Sequence, residues 1–270
     1  KTCYALGICA SRSSGIMANV GTMTKCMHSG HAARMGLESA CLADMGFESN
    51  NCVLSDPQGY IAAFGDITKM SNMKLITSFG NPFWLEKQDF GFKKYPSQFS
   101  TQFAIESAIE LSKKIDPDNI ASIEIIWPVL HYLDRPNVLN GLAAKFSLQY
   151  LVSKSLIEGN ITNQSFTEKE VMKPNVQMLM SLTTLTFDNN IPSNFNSMYG
   201  FLKVRQKDGQ NFETKCQFHK GHWHNPANKD QIISKFIDNT KKYLLKSDQE
   251  KFIEKVFSLE ETPNIKTLWG

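Results

Sequence analysis

The stretch from Gly21 to Phe47, GTMTKCMHSGHAARMGLESACLADMGF, constrains the fold most, because it forms one continuous helical pattern rich in small residues. It predicts a helix with an N-cap at Thr24 or Ser29 and an end where Gly46 takes a left-handed conformation. Small residues recur at spacings of three and four and share one face: Ala32, Gly36, Ala40 and Ala43. Because such a face lets another helix approach closely, we expect a tightly packed helical domain.

Polar and basic side chains gather at the start of this helix: Thr22, Thr24, Lys25, His28 and His31. A helix N-terminus presents free N–H groups and a partial positive charge. With Lys25 and His28 added, this helix start predicts a pocket for an anion, most simply a carboxylate. The alternative, which the local residues by themselves favour, is a solvated helix start with two ordinary histidines.

The composition limits the class of protein. The 270 residues are 41% hydrophobic and 20% charged, as is typical of a globular protein with a substantial core. The formal net charge is +3 without a Lys/Arg-rich run, so no nucleic-acid partner is expected. The apolar runs are too short to cross a bilayer, and no membrane association is expected.

The cysteines indicate a reducing environment. They stand at positions 3, 9, 26, 41, 52 and 216 and form neither a C-x-x-C pair nor a zinc-binding spacing. We expect them to be reduced, buried thiols of an intracellular protein. The chain starts at Lys1 without a signal-like segment, and the choice between a cytoplasmic and a mitochondrial location stays open.

Beyond residues 66–91, which are expected to be irregular, the patterns predict a mixed α/β region. Its expected elements are a helix from Ser97 or Ser100 to about Lys114, a half-buried strand at 122–127, a helix from about Leu142 to Glu158 stopped by Gly159, a strand at 183–188, and a hairpin of residues 199–206 and 211–218 around Lys207-Asp208-Gly209-Gln210. The tail is helical again, from Asn228 to about Leu245 and, after a capping box at Ser247–Glu250, to about Leu259.

Two further stretches carry candidate site residues. Lys93 and Lys94 precede an aromatic residue and a proline and form a stiff entry to a helix; solvated lysines at a domain boundary are the alternative. Tyr132 lies in the loop that follows the strand at 122–127, where side chains are well placed to line a site. The alternative for Tyr132 is a tyrosine packed in the core of its own domain.

The histidines at 219, 222 and 224 resemble a metal site at first sight. Their spacings are three and two, no carboxylate lies nearby in sequence, and Lys220 interrupts them, so metal binding is disfavoured. The sequence contains no G-x-G-x-x-G after a strand, no P-loop and no G-x-S-x-G. We therefore expect neither a metal nor a cofactor.

Four stretches resemble, in order, the MmgE/PrpD family, which includes 2-methylcitrate dehydratases and cis-aconitate decarboxylases. They are GTMTK-x-x-H-x-G-x-AA-x-x-G followed by LADMGF, FKKYPSQFSTQFAIESAIEL at 92–111, DRPNVLNGLAAKFSLQYLVSKSLIEGNIT at 134–162, and GHWHNPANKDQIISKF at 221–236. The resemblance implies an all-helical domain (residues 1–88), an inserted smaller α/β lid (89–221) and a return to the helical domain (222–270). It also implies that this chain is the C-terminal portion of a longer protein.

The resemblance implies a cofactor-free lyase for a small di- or tricarboxylate, close to cis-aconitate decarboxylase, and we expect a homodimer. Lys25 matches a family position that lines a basic pocket between helical domain and lid, and His28 matches the histidine of the family motif. Lys93 matches a family lysine that opens the lid and faces the substrate, and Tyr132 matches a tyrosine of the decarboxylase branch. The alternatives are 2-methylcitrate dehydratase, another polycarboxylate activity, or a non-catalytic member. Gln102, where the family often carries a histidine, favours the last alternative.

Overall fold

The computed structural model describes residues 1–65, 80, 83, 86 and 90–264, and the fold is given for these residues. The chain divides into two compact units, Lys1–Lys87 and Gln88–Gly270, called here the N-terminal and the C-terminal unit. The irregular structure expected at 66–91 lies almost wholly outside the described residues. None of the helices in the described ranges combines the length and apolar character that crossing a bilayer requires.

Helices dominate the described part of the N-terminal unit: α1 (Thr2–Ser11), α2 (Met23–Asp44) and the short α3 (Tyr60–Phe64). α1 packs against α2. On α2 the buried residues are Met35, Ser39 and Ala43, spaced four apart and therefore on one face. On α1, Gly7 allows the close approach of Ser49, because a Cβ atom there would lie 2.1 Å from the Ser49 hydroxyl oxygen.

The long helix was predicted correctly at its end and wrongly at its start. Gly46 follows α2 with φ +95°, as expected of a left-handed glycine. The N-cap is Thr22, whose side chain makes no capping hydrogen bond; Thr24 and Ser29 lie inside the helix. Of the small-residue face only its last member is buried, since the contact with α1 uses the neighbouring face through Met35. The tight packing expected on the small face is therefore absent from the described part of this unit.

The C-terminal unit combines helices with a four-stranded mixed sheet. Its elements are α4 (Thr101–Ser112), β1 (Ile120–Trp127), α5 (Gly141–Ala144), α6 (Leu148–Glu158), α7 (Glu168–Val171), α8 (Pro174–Ser181), β2 (Thr183–Phe187), β3 (Gly200–Gln206), β4 (Asn211–Cys216), α9 (Lys229–Thr240) and α10 (Lys246–Phe257). The strand order is β2-β1-β3-β4. β1 runs parallel to β2, with Ile123 opposite Thr183, and antiparallel to β3, which pairs antiparallel with β4.

The core of this unit lies between the sheet and the α4–α6 pair. Ile123, Ile125 and Trp127 alternate inward along β1, as the sequence predicts. The predicted stripe of α4 is also buried: Phe103, Ala104, Ala108 and Leu111. Full burial of a large apolar side chain such as Phe103 or Leu111 stabilises the folded state by about 1.5–3 kcal/mol. This core holds α4, and with it the segment that precedes it, in place.

Local geometry changes two predicted helices. The helix expected from 142 to 158 is split into α5 and α6, because Ser147 leaves the helical conformation and its hydroxyl accepts a hydrogen bond from the Tyr150 amide. Gly159 ends α6 at φ +63°, as predicted. The capping box predicted at Ser247–Glu250 is not formed, because α10 already begins at Lys246 and Ser247 lies within its first turn. The short helices α7 and α8 have no counterpart in the prediction.

The strands, the hairpin and the capping of α9 by Asn228 follow the prediction. The mixed helical and α/β character is thus confirmed. The inserted-lid arrangement, with boundaries at 89 and 221, stays a prediction; residues 222–270 cluster in the same compact unit as the sheet. The cysteines are free thiols, but only Cys216 is buried. The prediction of buried thiols was wrong for the others, because Cys3, Cys26, Cys41 and Cys52 lie on exposed positions.

Candidate functional site

The start of α2 presents two of the predicted site residues. Lys25 and His28 lie three residues apart in the first turns, hence on neighbouring positions of one face. The Lys25 side chain is exposed and His28 is partly buried. The His28 ring rests against Gly15, where a Cβ atom would lie 3.3 Å from ring atoms Cγ and Nδ1. Thr22 makes no side-chain cap at this helix start, and the Lys25 amide donates to the Thr22 carbonyl at 3.3 Å.

The other two predicted residues, Lys93 and Tyr132, belong to the C-terminal unit. Lys93 lies in the segment that leads into α4 through bends at residues 94–97, and its side chain is exposed. The adjacent Lys94 points into the fold, where its ammonium group lies 3.3 Å from the Glu106 carboxylate and 5.0 Å from the centroid of the Tyr95 ring. Burial lowers the pKa of Lys94, but the Tyr95 hydroxyl and the Glu106 carboxylate raise it by more. Of the two lysines, Lys93 has the more exposed side chain.

Gln102 holds the backbone of this segment. Its side chain is fully buried. Its oxygen accepts from the Tyr95 amide at 2.8 Å, and its nitrogen donates to the Tyr95 carbonyl at 3.0 Å and to the Ser97 hydroxyl at 2.7 Å. Gln102 suggested a non-catalytic family member, but its side chain is used in hydrogen bonds in the interior of the fold.

Tyr132 is joined to the same segment by a hydrogen bond. The Gln98 side-chain nitrogen donates to the Tyr132 hydroxyl oxygen at 3.1 Å. The orientation of the Gln98 amide follows from Ser100, whose backbone N–H donates to the Gln98 side-chain oxygen at 2.6 Å. Since Tyr132 accepts from Gln98, its own hydroxyl hydrogen points elsewhere, and within the described ranges no residue accepts it.

Tyr132 is 40% exposed, so it is not the core tyrosine of the alternative interpretation. Gln98 is a residue that the sequence reasoning missed. The two lie 34 residues apart in the chain, and no local pattern links a glutamine before α4 to a loop after β1. The structure therefore brings Gln98 and Tyr132 together, and Lys93 belongs to the same unit. Lys25 and His28 lie together on α2 in the other unit.

The histidine cluster serves the fold. His219 Nδ1 bonds the Lys220 carbonyl at 2.9 Å, and His222 Nε2 bonds the Phe195 carbonyl at 2.9 Å. Burial lowers the pKa of His219 to about 4 and also lowers that of His222, so both rings are neutral at pH 7. Within the described residues, no three His, Cys, Asp or Glu side chains are grouped so as to hold a metal ion.

A cavity of about 370 Å³ opens elsewhere in the C-terminal unit, and neither Lys93 nor Tyr132 lines it. Its walls come from the 94–96 segment, residues 160–162 and α9. Lys93 and Tyr132 are exposed on the surface of this unit.

Comparison with known proteins agrees with the four sequence stretches. The MmgE/PrpD N-terminal domain model matches residues 1–72, and the MmgE/PrpD C-terminal domain model matches residues 95–261. The human protein named cis-aconitate decarboxylase is 32% identical over 273 residues, covering 98% of this chain and 56% of that protein. The mouse protein of the same name is 29% identical, with 98% and 55% covered. The chain spans about half the length of these relatives, and it belongs to the MmgE/PrpD family.

Proposed function

We propose that this chain forms part of a lyase that acts on a small di- or tricarboxylate, with cis-aconitate decarboxylation as the favoured activity. The observation that carries the proposal is the hydrogen bond from the Gln98 amide to the exposed Tyr132, which leaves the Tyr132 hydroxyl hydrogen to act as a donor. The names of the human and mouse relatives support the choice of reaction.

The chemistry needs fixed cations and a proton donor. Decarboxylation breaks the bond between a carbon atom and its carboxylate, releases CO₂ and leaves the electron pair on that carbon, which must then take up a proton. Lys25 and Lys93 hold the carboxylates that remain and stabilise the negative charge as it develops. Tyr132 supplies the proton, or orients the carboxylate while His28 supplies it.

Dehydration of 2-methylcitrate is the nearest alternative, because it builds up the same kind of negative charge beside a carboxylate. A non-catalytic family member that only binds a polycarboxylate is the alternative from another class. Gln102 no longer favours it, since the buried Gln102 amide has a structural role.

The test uses the longest form of the protein that contains this chain. Both cis-aconitate and 2-methylcitrate are supplied, and their products are followed by NMR. Tyr132→Phe removes only the hydroxyl group, and Tyr243→Phe is the matched control on a residue that is 83% exposed. We expect Tyr132→Phe to lower turnover of cis-aconitate by about 100-fold or more, the scale of a lost general acid.

If only 2-methylcitrate were turned over, the activity would be dehydration and the proposed decarboxylation would be rejected. Binding of either compound without turnover would leave the non-catalytic alternative. Equal activity of the Tyr132→Phe and Tyr243→Phe forms would remove Tyr132 from the reaction.

A further inference from the structure

A lysine of α9 reaches the segment that carries Lys93. The Lys235 ammonium group donates to the Lys93 carbonyl and lies 3.4 Å from the Lys94 carbonyl oxygen. It also lies 5.3 Å from the centroid of the Phe92 ring. Lys93 and Lys235 stand 142 positions apart in the chain, so this contact exists only in the folded unit.

The placement of Lys235 is electrostatically unfavourable in itself. Burial lowers its pKa and the positive charge of Lys93 lowers it further, while the Asp238 carboxylate raises it by less. A lysine without a specific role would be more stable if it were fully solvated and had no second ammonium group nearby. The hydrogen bonds to two carbonyl oxygens and the aromatic ring offset this penalty.

Other anchors hold the same segment on both sides of Lys93. The Phe92 amide donates to the Gly221 carbonyl at 2.6 Å. Gln102 pairs with both backbone groups of Tyr95. Between these two anchors, the Lys235 ammonium group binds the carbonyl of Lys93 itself. Of these anchors, Lys235 is the one that bonds to Lys93 itself. It therefore has the most direct effect on the direction of the Lys93 side chain.

We infer that Lys235 is a positioning residue, which holds the Lys93 backbone so that the Lys93 side chain meets a substrate carboxylate in one fixed place. The effect of Lys235 on catalysis rests on the proposed function. A displacement of about 1 Å of a binding group is enough to lower a rate substantially.

The kinetic test is a double-mutant cycle in the longest form of the protein. Lys235→Met keeps the aliphatic stem and removes the donors, and Lys235→Arg keeps donors at the same position. Lys229→Met is the matched control, because Lys229 lies on the same helix and its ammonium group is over the Phe257 ring, 4.0 Å from the centroid.

We expect Lys235→Met to lower kcat/KM by about 10-fold, mainly through KM, and Lys235→Arg to restore most of that loss. In a Lys93→Ala background, Lys235→Met should change kcat/KM by less than about 2-fold, because its effect passes through Lys93. Independent, additive losses from the two substitutions would overturn the inference, as would an equal loss from Lys229→Met.

A second measurement does not depend on activity. Hydrogen exchange of the Phe92 and Tyr95 amides is compared in the ligand-free proteins, where we expect Lys235→Met to exchange about 10-fold faster and Lys229→Met to match the wild type. Unchanged exchange in Lys235→Met would contradict the positioning role whatever the kinetics. Faster exchange in a protein that turns over neither polycarboxylate would leave the positioning of Lys93 standing and reject the proposed function.

Discussion

Two lysines that are neighbours in sequence have opposite roles at the residue scale. The partly buried Lys94 is bound to Glu106 and lies over the Tyr95 ring, whereas the Lys93 side chain is exposed. The backbone bends at residues 94–97, just before α4. The backbone is held in that conformation by Gln102. A single buried amide thus fixes the backbone next to both lysines.

One prediction concerns the two lysines that are proposed to bind substrate carboxylates. Lys25→Ala and Lys93→Ala should each lower turnover by about 100-fold or more, the scale of losing one preorganised charge partner. Both proteins should keep their thermal unfolding temperature, because exposed lysines rarely contribute much stability. Lys242→Ala, another exposed lysine, is the control. Near-normal turnover in either variant would exclude that lysine from the site.

A buried ion-pair network connects α6 to α7 at the scale of secondary-structure elements. Lys154 on α6 is fully buried, and its ammonium group lies 2.5 Å from both the Glu158 and the Glu170 carboxylates. Lys173 lies 2.7 Å from Glu170. Hydrogen bonds from Lys154 first, and from Lys173 second, lower the pKa of Glu170 to about 2. The four-residue helix α7 is thereby held on the core of the unit.

Glu170→Gln should destabilise the protein by about 2 kcal/mol at pH 7, because it removes charged hydrogen bonds from a buried lysine. The folded-state pKa of Glu170 is depressed, so its contribution to stability is present above about pH 4.5 and is lost as pH falls towards 2. Urea unfolding at several pH values should therefore show the wild type and the variant converging over that range.

Glu168→Gln, on an exposed carboxylate of the same helix, is the control and should change stability by less than about 0.5 kcal/mol. A constant difference in unfolding free energy between wild type and Glu170→Gln, from pH 7 down to about 2.5, would show that the carboxylate charge is not what holds α7.

At the scale of the whole molecule, the chain consists of two compact units, each carrying two of the four predicted site residues. The assignment of residues 222–270 to the helical domain stays a prediction, and so does the homodimer. What the C-terminal unit contributes is a rigid presentation of Lys93, anchored by α9 through Lys235 and by α4 through Gln102.

A polycarboxylate that binds Lys93 should protect the chain from trypsin at that residue, because trypsin must also bind the lysine side chain. With citrate at ten times its dissociation constant, cleavage after Lys93 should slow by about 10-fold, since about one molecule in ten is then unliganded. Cleavage after the exposed Lys242 in the same digest, and digestion in sodium chloride of equal ionic strength, are the controls. Equal slowing at both lysines would point to a general effect of citrate on trypsin.

Local sequence signals predicted the elements that depend on neighbouring residues. The alternation in β1, the hairpin around Gly209, the left-handed Gly159 and the Asn228 cap are each decided within a few positions. The order of four family stretches also identified the family, which the domain matches confirm. For the site, the sequence predicted four residues and the class of ligand, a carboxylate, that they would bind.

The tertiary structure decided what no local pattern contains. Ser147 breaks a helix that periodicity extends through it, and the small face of α2 stays exposed because α1 packs on the neighbouring face. The orientation of Tyr132 by Gln98, and the hold of Lys235 on the Lys93 carbonyl, join residues 34 and 142 positions apart. A helix cap or a turn is set by backbone geometry over one turn of chain, whereas side chains that meet across a fold do so only after the core has brought their elements together.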